Sequence, residues 1–405
     1  MIVDNGQLPV GWEVKCIGDV CKTGAGGTPL KSKKEYYECG LIPWLLSGEV
    51  AQGEIFQSEN FITQTGLENS SAKIFPVNTV LVAMYGATAG QVGILRFEAA
   101  TNQAVCGILP NKKFIPEFIY YALLSKKEEL ISKAAGNAQP NISQIKIKNT
   151  EIPVPPLADQ KRIVAILDET FEGCDRAIRN TEKNLANARE LFESYLNAIF
   201  TQKGDEWEEK KLEDICSIPS KLVDPRQSDF LDLPHIGAGN IISLTGGIIE
   251  VKTAREEELK SGKFLFDETM VLYSKIRPYL MKACRPDFSG LCSADVYPLL
   301  PNDGQLDRDF LFHLLMSRNF TDYAISGSDR AGMPKVNRDH LFRYSIWIPN
   351  LLEQIKIVQK IDEIARETQR LETIYRQKLA ALKELKQSIL QKAFTGELTA
   401  DKEVA

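Results

Sequence analysis

Between Ser274 and Arg285 the run Ser-Lys-Ile-Arg-Pro-Tyr-Leu-Met-Lys-Ala-Cys-Arg places four cations and a tyrosine within twelve residues. Lys275, Arg277 and Lys282 are long donors and Tyr279 is a planar ring, a set suited to phosphate contact and base-edge readout in a DNA groove. A solvated hairpin is the plain alternative. The counterpart earlier in the chain, Met84 to Gln91, is uncharged but carries Tyr85 and Thr88. Asn102 and Gln103 bear side-chain amides, which donate and accept together and so match adenine. Gln139 and Asn141 offer the same chemistry in Gln139-Pro140-Asn141-Ile142-Ser143, a run that aligns with Met333-Pro334-Lys335-Val336-Asn337, just after Arg330. Capping competes with readout here, because Asn141, Ser143 or Asn337 would equally start a short helix at Gln144 or Arg338. Lys31 and Lys33, beside Tyr36, extend the set, although a charge run is usually a wet surface.

Catalytic patterns are missing. Gly24-Ala25-Gly26-Gly27-Thr28-Pro29 fits neither Gly-x-Gly-x-x-Gly nor a phosphate loop, and Gly262-Lys263 is followed by Phe264. No Asn/Asp-Pro-Pro-Tyr/Phe stretch of an adenine methyltransferase occurs, and Pro286-Asp287 has no Glu-x-Lys at a useful distance for a nuclease. Eight cysteines form no Cys-x-x-Cys pair, and His235, His313 and His340 are too far apart for metal-ligand spacing. The expectation is no catalytic residue, no metal site and no cofactor bound by this chain.

Two long helices must position the candidate loops. After Ile152-Pro153-Val154-Pro155-Pro156-Leu157-Ala158-Asp159-Gln160, apolar or small residues recur at Val164, Leu167, Phe171, Cys174, Ile178, Thr181, Leu185, Ala188, Phe192, Tyr195 and Ile199 in alternating steps of three and four. That is a coiled-coil seam. A helix from Leu157 to Lys203 would run about 45 residues, or roughly 65 to 70 Å. Its start is repeated 194 residues later: Ile152, Pro155, Leu157, Gln160, Ile163, Val164, Asp168 and Glu169 return as Ile346, Pro349, Leu351, Gln354, Ile357, Val358, Asp362 and Glu363. Ser194, Leu196, Phe200 and Thr201 return as Ser388, Leu390, Phe394 and Thr395. One unit is written twice. The second seam, through Ile357, Ile361, Ile364, Thr368, Leu371 and Tyr375, then meets Lys378 and Lys392, so it must widen through Leu379, Leu382, Leu385 and Ile389 or turn its far face to a docked subunit.

The parts between the helices read as short strands broken by Gly, Pro, Asn and Asp. Landmarks there repeat at an offset near 191: Pro43 with Pro234, Phe75 to Leu81 with Phe266 to Leu272, Pro110 with Pro301, each before a short helix at Glu117 or Asp309. The domains expected are 1–155, 156–203 (first long helix), 204–348 and 349–405 (second long helix). The composition, 43% hydrophobic and 25% charged over 405 residues, is that of a soluble globular protein. No apolar run reaches membrane-spanning length and the start does not read as a signal peptide, so a cytoplasmic protein with no membrane partner is expected. Lys and Arg against Asp and Glu number 14 and 14 up to Pro155, 7 and 8 over 156–203, 18 and 23 over 204–348, and 10 and 9 beyond. No segment has the basic excess usual for phosphate contact, so a local basic face or a partner must supply it.

The repeated stretches Ile152 to Val164 and Ile346 to Val358, with the closing Ser388-Ile389-Leu390-Gln391-Lys392-Ala393-Phe394-Thr395-Gly396-Glu397-Leu398, resemble the specificity subunits of Type I restriction-modification systems. The resemblance covers essentially the whole chain. It implies a mixed α/β fold: two target recognition domains joined by an antiparallel pair of long coiled-coil helices with an internal pseudo-twofold repeat. It also implies that each domain reads half of a split site in double-stranded DNA, with the helices fixing the spacer. Two modification (methyltransferase) subunits, which bind S-adenosylmethionine, and restriction subunits, which use ATP and Mg for translocation, would be the partners. A non-DNA helical scaffold and a self-sufficient DNA methyltransferase are the competing readings. The first accounts for the acidity but not for two shared frames with different loops, and the second lacks its motifs.

Overall fold

A computed structural model of the chain describes residues 8–132, 141–204, 206–219, 221–328 and 334–398; Gln139 and Arg330 lie outside these. The chain forms two compact units, Met1–Asn180 with Lys378–Ala405, and Thr181–Gln377. Two helices of 45 residues, Leu157–Thr201 and Leu351–Thr395, pass through both. Prolines 155, 156 and 349 stand just before their starts, where a missing N–H costs nothing. Asn350 accepts from the Glu353 N–H at 3.1 Å, and Gly396, at φ +87, ends the second helix.

The first unit holds a five-stranded sheet in the order Thr23–Ala25, Val105–Ile108, Val80–Ala83, Val92–Leu95, Glu54–Ile55. A four-stranded sheet follows the order Phe61–Ile62, Ile42–Leu45, Ala99–Thr101, Ile74–Phe75. The second unit repeats the first sheet with one strand fewer, Cys216–Ser217, Val296–Pro301, Val271–Ser274, Ala283–Cys284, and the four-stranded sheet with Lys252–Thr253, Pro234–Ile236, Gly290–Ser293, Lys263–Phe266. A two-stranded ribbon precedes each long helix: Glu13–Cys16 pairs with Glu151–Val154, and Glu208–Lys211 with Ser345–Ile348. The central strands Val80–Ala83 and Val271–Ser274 are buried along their whole length, which is why they read as continuous rather than alternating apolar runs.

In each unit the helical segments pack antiparallel. Ile163 and Leu167 share a core with Leu390 and Ala393 while Asp175 meets Lys386 at 2.6 Å. In the second unit Leu196 and Phe200 share a core with Val358 and Ile361 while Arg189 meets Glu372 at 2.9 Å. Val164, Phe171 and Ile389 pack against the first of these cores, and Phe192, Ile199 and Ile357 against the second. Ile178, Leu185, Ile364 and Leu382 are half-buried. Leu371 departs from expectation. It is 40% exposed, and Leu385 is exposed as well. The seam of the second helix instead runs through Thr368, Glu372, Tyr375, Leu379, Leu382, Lys386 and Ile389, all half-buried, leaving Lys378 and Lys392 outside. An apolar-only pattern cannot find this path, because Glu372 and Lys386 occupy it as ion-pair partners of Arg189 and Asp175.

Candidate nucleic-acid interface

Three loops meet in the first unit at the end of strand Val80–Ala83. The Met84 N–H donates to the Ala104 carbonyl and the Ile142 N–H to the Met84 carbonyl, both at 2.8 Å. Tyr85 and Asn141 form an isolated β-bridge. The turn 102–104, the loop 84–91 and the segment from Asn141 are thus one cluster, which gathers Tyr85, Thr88, Asn102, Gln103 and Asn141. Glycines 26 and 27 brace it from behind: their N–H groups donate to Val105 O and Thr101 O at 3.0 and 2.9 Å. A Cβ on Gly26 would collide with Thr101 and Asn102. The glycine-rich run is therefore a close-packing support, and its Thr28 hydroxyl bonds to Gln103.

The second unit builds the same cluster from other residues. Lys275 N–H donates to Asp295 O at 3.0 Å, Val336 N–H to Lys275 O at 2.8 Å, and Ile276 bridges Lys335. Lys275, Asp295 and Val336 take the places of Met84, Ala104 and Ile142. Here the side chains are charged, and Asp295 gathers them: its Oδ1 lies 3.1 Å from Lys335 Nζ and 3.7 Å from Lys275 Nζ. Lys275 also donates to the Ala294 carbonyl at 2.6 Å, and Lys282 to the Ala238 carbonyl at 2.7 Å. Arg277 and Tyr279 remain exposed.

Four expected readers differ from expectation. Asn337 is a helix cap, accepting from the His340 N–H at 2.7 Å, while on the other copy Ser143 does the capping and leaves Asn141 exposed. Asn102 accepts from the Ala104 N–H at 3.1 Å, so its side chain also serves to close the 102–104 turn. Tyr36 is buried, 6% exposed, with its hydroxyl accepting from Lys33 Nζ at 3.1 Å, so its ring is not offered to a base. Lys282 faces the 238 loop rather than solvent. Lys31 and Lys33 are exposed.

A repeated polar set ties each domain to the start of its long helix. Gln160 accepts from the Ile115 N–H at 3.1 Å and donates to the Lys113 and Pro155 carbonyls at 3.0 Å. Gln354 accepts from the Asp307 N–H and donates to the Gln305 and Pro349 carbonyls at 2.8 to 2.9 Å. Asp168 accepts from the Tyr121 hydroxyl at 2.6 Å; Asp362 stands 2.9 Å from His313 Nε2, and Arg285 lies 4.0 Å away. The His313 hydrogen bond holds the Asp362 carboxyl below its ordinary value, against the opposing effect of burial. Trp12 donates to Asp159 at 3.0 Å and Trp207 to Glu353 at 3.3 Å. Asp295, Thr28 and these anchors were not singled out from sequence as site residues; for Gln160, Gln354, Asp168 and Asp362 the available signal was a polar residue repeated at offset 194.

The donors do not converge on a metal. His235 pairs with Glu257 at 2.7 Å, His313 with Asp362, and His340 with the Tyr323 carbonyl at 2.9 Å, each separately. Among the described residues no group of three His, Cys, Asp or Glu is arranged to hold a metal ion, and no helix is long and apolar enough to cross a membrane.

A family described as "Type I restriction modification DNA specificity domain" matches residues 9–187 and again 204–381. The specificity subunit of the Type I restriction enzyme EcoDI of Escherichia coli is 26% identical, over 98% of this chain and 90% of its own. A chain in a solved structure described as "Structural basis underlying complex assembly and conformational transition of the type I R-M system" superposes with a TM-score of 0.77 at 21% identity, covering 96% of this chain and 99% of the other. The HsdS subunit of Thermoanaerobacter tengcongensis superposes with a TM-score of 0.64 at 21% identity, covering 97% and 99%.

Proposed function

The chain belongs to the Type I restriction-modification DNA specificity family, and on that premise we propose how it works: each unit reads one half of a split double-stranded DNA site through its three-loop cluster. One observation carries the reading. The same backbone cluster is built twice, with uncharged amide and hydroxyl groups in one copy and cations in the other. Identical frames with dissimilar side chains are what reading two different sequences requires. The two helices, each about 68 Å long at 1.5 Å per residue, set the unread interval.

The chain supplies address and no chemistry of its own. Two modification subunits dock on it and bring S-adenosylmethionine to the target adenine, and restriction subunits bring ATP and Mg; this chain binds none of these. The protein works in the cytoplasm. Its acidic balance over 204–348 is offset by the charge of the docked subunits.

Sequencing the methylated bases of a host that expresses this chain with its modification partner tests the reading. A split adenine motif is expected, and exchange of residues 204–348 for those of a relative should change one half only. An undivided motif, or a change in both halves, would refute it.

A further inference from the structure

Most cations of the second cluster are already engaged. Lys275, Lys335 and Lys282 have the protein partners given above, and Arg285 pairs with Asp309 at 3.0 Å while covering the Phe312 ring at 4.2 Å. Arg277 differs: it is exposed, and its guanidinium makes no hydrogen bond or ion pair among the described residues.

Its backbone makes this more informative. Arg277 is left-handed, at φ 50 and ψ 61, as is Met281 at φ 48 and ψ 63, on either side of the short turn Pro278–Leu280. The same two positions in the first unit are Gly86, at φ +71, which opens the turn Gly86–Thr88, and Gly90, at φ +79, just beyond it. Glycine is the residue this conformation favours, and an L side chain there is strained. Met281 has a packing reason to be present, since its side chain lies against the second core. Arg277 has no such reason within the protein. The strained stem is also rigid: the Arg277 N–H donates to Pro334 O, its carbonyl accepts from the Leu280 N–H, both at 2.9 Å, and Pro278 is buried.

Resting on the functional reading above, we propose that Arg277 is the specificity-determining cation of the second unit and recognises a guanine, its guanidinium donating to O6 and N7 in the major groove. A planar fork on a fixed stem suits a two-bond contact with one base edge. A phosphate-tracking surface would instead present several free cations, and here the neighbouring lysines are held by Asp295 and by backbone carbonyls.

The test uses the complex with its modification subunits and duplexes carrying the motif found by methylation sequencing, with each guanine replaced in turn by 7-deazaguanine, which lacks the N7 acceptor. Arg277→Gly installs the residue the first unit uses at this position, so its melting temperature should equal or exceed that of the parent. In one half-site a single 7-deazaguanine should weaken the parent complex roughly tenfold to a hundredfold. Arg277→Gly should lose a similar factor on the unmodified duplex and nothing further on that modified one; Arg277→Lys should fall between. Uniform weakening of all duplexes by Arg277→Gly, with a salt slope shallower by about one, would mean a phosphate contact and overturn the proposal. Unchanged discrimination, or no guanine in the half-site assigned to the second unit by exchange of 204–348, would overturn it too. A parent complex that prefers no split motif would instead overturn the functional reading beneath it.

Discussion

The Phe118 ring meets the Phe394 ring edge to face, with centroids 5.4 Å apart. Phe310 meets Phe200 in the same way at 5.1 Å. Phe200 and Phe394 are the same position in the two copies of the long helix, so each unit is closed by the end of a helix that begins in the other copy. Phe118 and Phe310 are fully buried. Phe118→Ala and Phe310→Ala should each cost about 3 to 5 kcal/mol, the cost of a buried aromatic cavity. Phe394→Ala, at a half-buried position, should cost less. Denaturant titration reads all three; a loss under about 1 kcal/mol at Phe118 would contradict the packing described.

Gln160 and Gln354 each satisfy one backbone N–H and two carbonyls at the join between short helix and long helix. Replacing either by leucine keeps the volume but strands those groups in a buried site. A loss of about 2 to 4 kcal/mol is expected, since each unsatisfied buried group costs about 1 to 3 kcal/mol. Thermal melts of Gln160→Leu and Gln354→Leu should both shift downward; an unchanged melting temperature would mean water replaces the amide without penalty.

Asp362 gives the second unit an acid-sensitive contact. Its folded carboxyl titrates below the ordinary value of about 3.9, chiefly because His313 hydrogen-bonds it, with Arg285 and Arg366 adding attraction. A depressed carboxylate contributes stability that is complete above the unfolded value and disappears as pH falls through the folded one. Stability should therefore decline below about pH 4, and Asp362→Asn, which keeps an acceptor for His313, should flatten that decline. Denaturant midpoints measured from pH 6 downward check the slope; parallel curves would remove Asp362 as its source.

DNA affinity should depend on company. With 18 cations against 23 acids over 204–348, and the second cluster's lysines internally held, the isolated chain should bind DNA weakly and lose that binding readily with salt. Tight, sequence-specific binding should appear only when modification subunits are added. Anisotropy titrations with and without them decide the point, and equal affinities would refute it.

Much of this was legible in the chain as written. The alternation of three and four located the first long helix to within a residue or two of its ends, and the offset of 194 residues exposed the duplication and placed the second. The alignment of Asn141 to Ser143 with Lys335 to Asn337 picked the described segments that join the clusters. Periodicity and repetition are local properties of a sequence, and a helix or a copied strand inherits them directly. The sequence left undecided whether Asn337 reads or caps, and it placed Tyr36 among the readers and Leu371 on the second seam, where the structure buries the first and exposes the second.

The path of the second seam and the availability of the cluster's cations are settled by neighbours distant in the chain. Asp295 neutralises Lys335 from 40 residues away and Arg189 draws Glu372 into the seam from 183 residues away. A side chain's availability is what remains after its partners have been counted, and composition lists charges without saying which are spent. The sequence alone therefore determined a duplicated, helix-joined protein with two loop-bearing domains. Tertiary structure decided which groups are left free to meet DNA, because hydrogen bonds and ion pairs form between atoms close in space, whatever their separation along the chain.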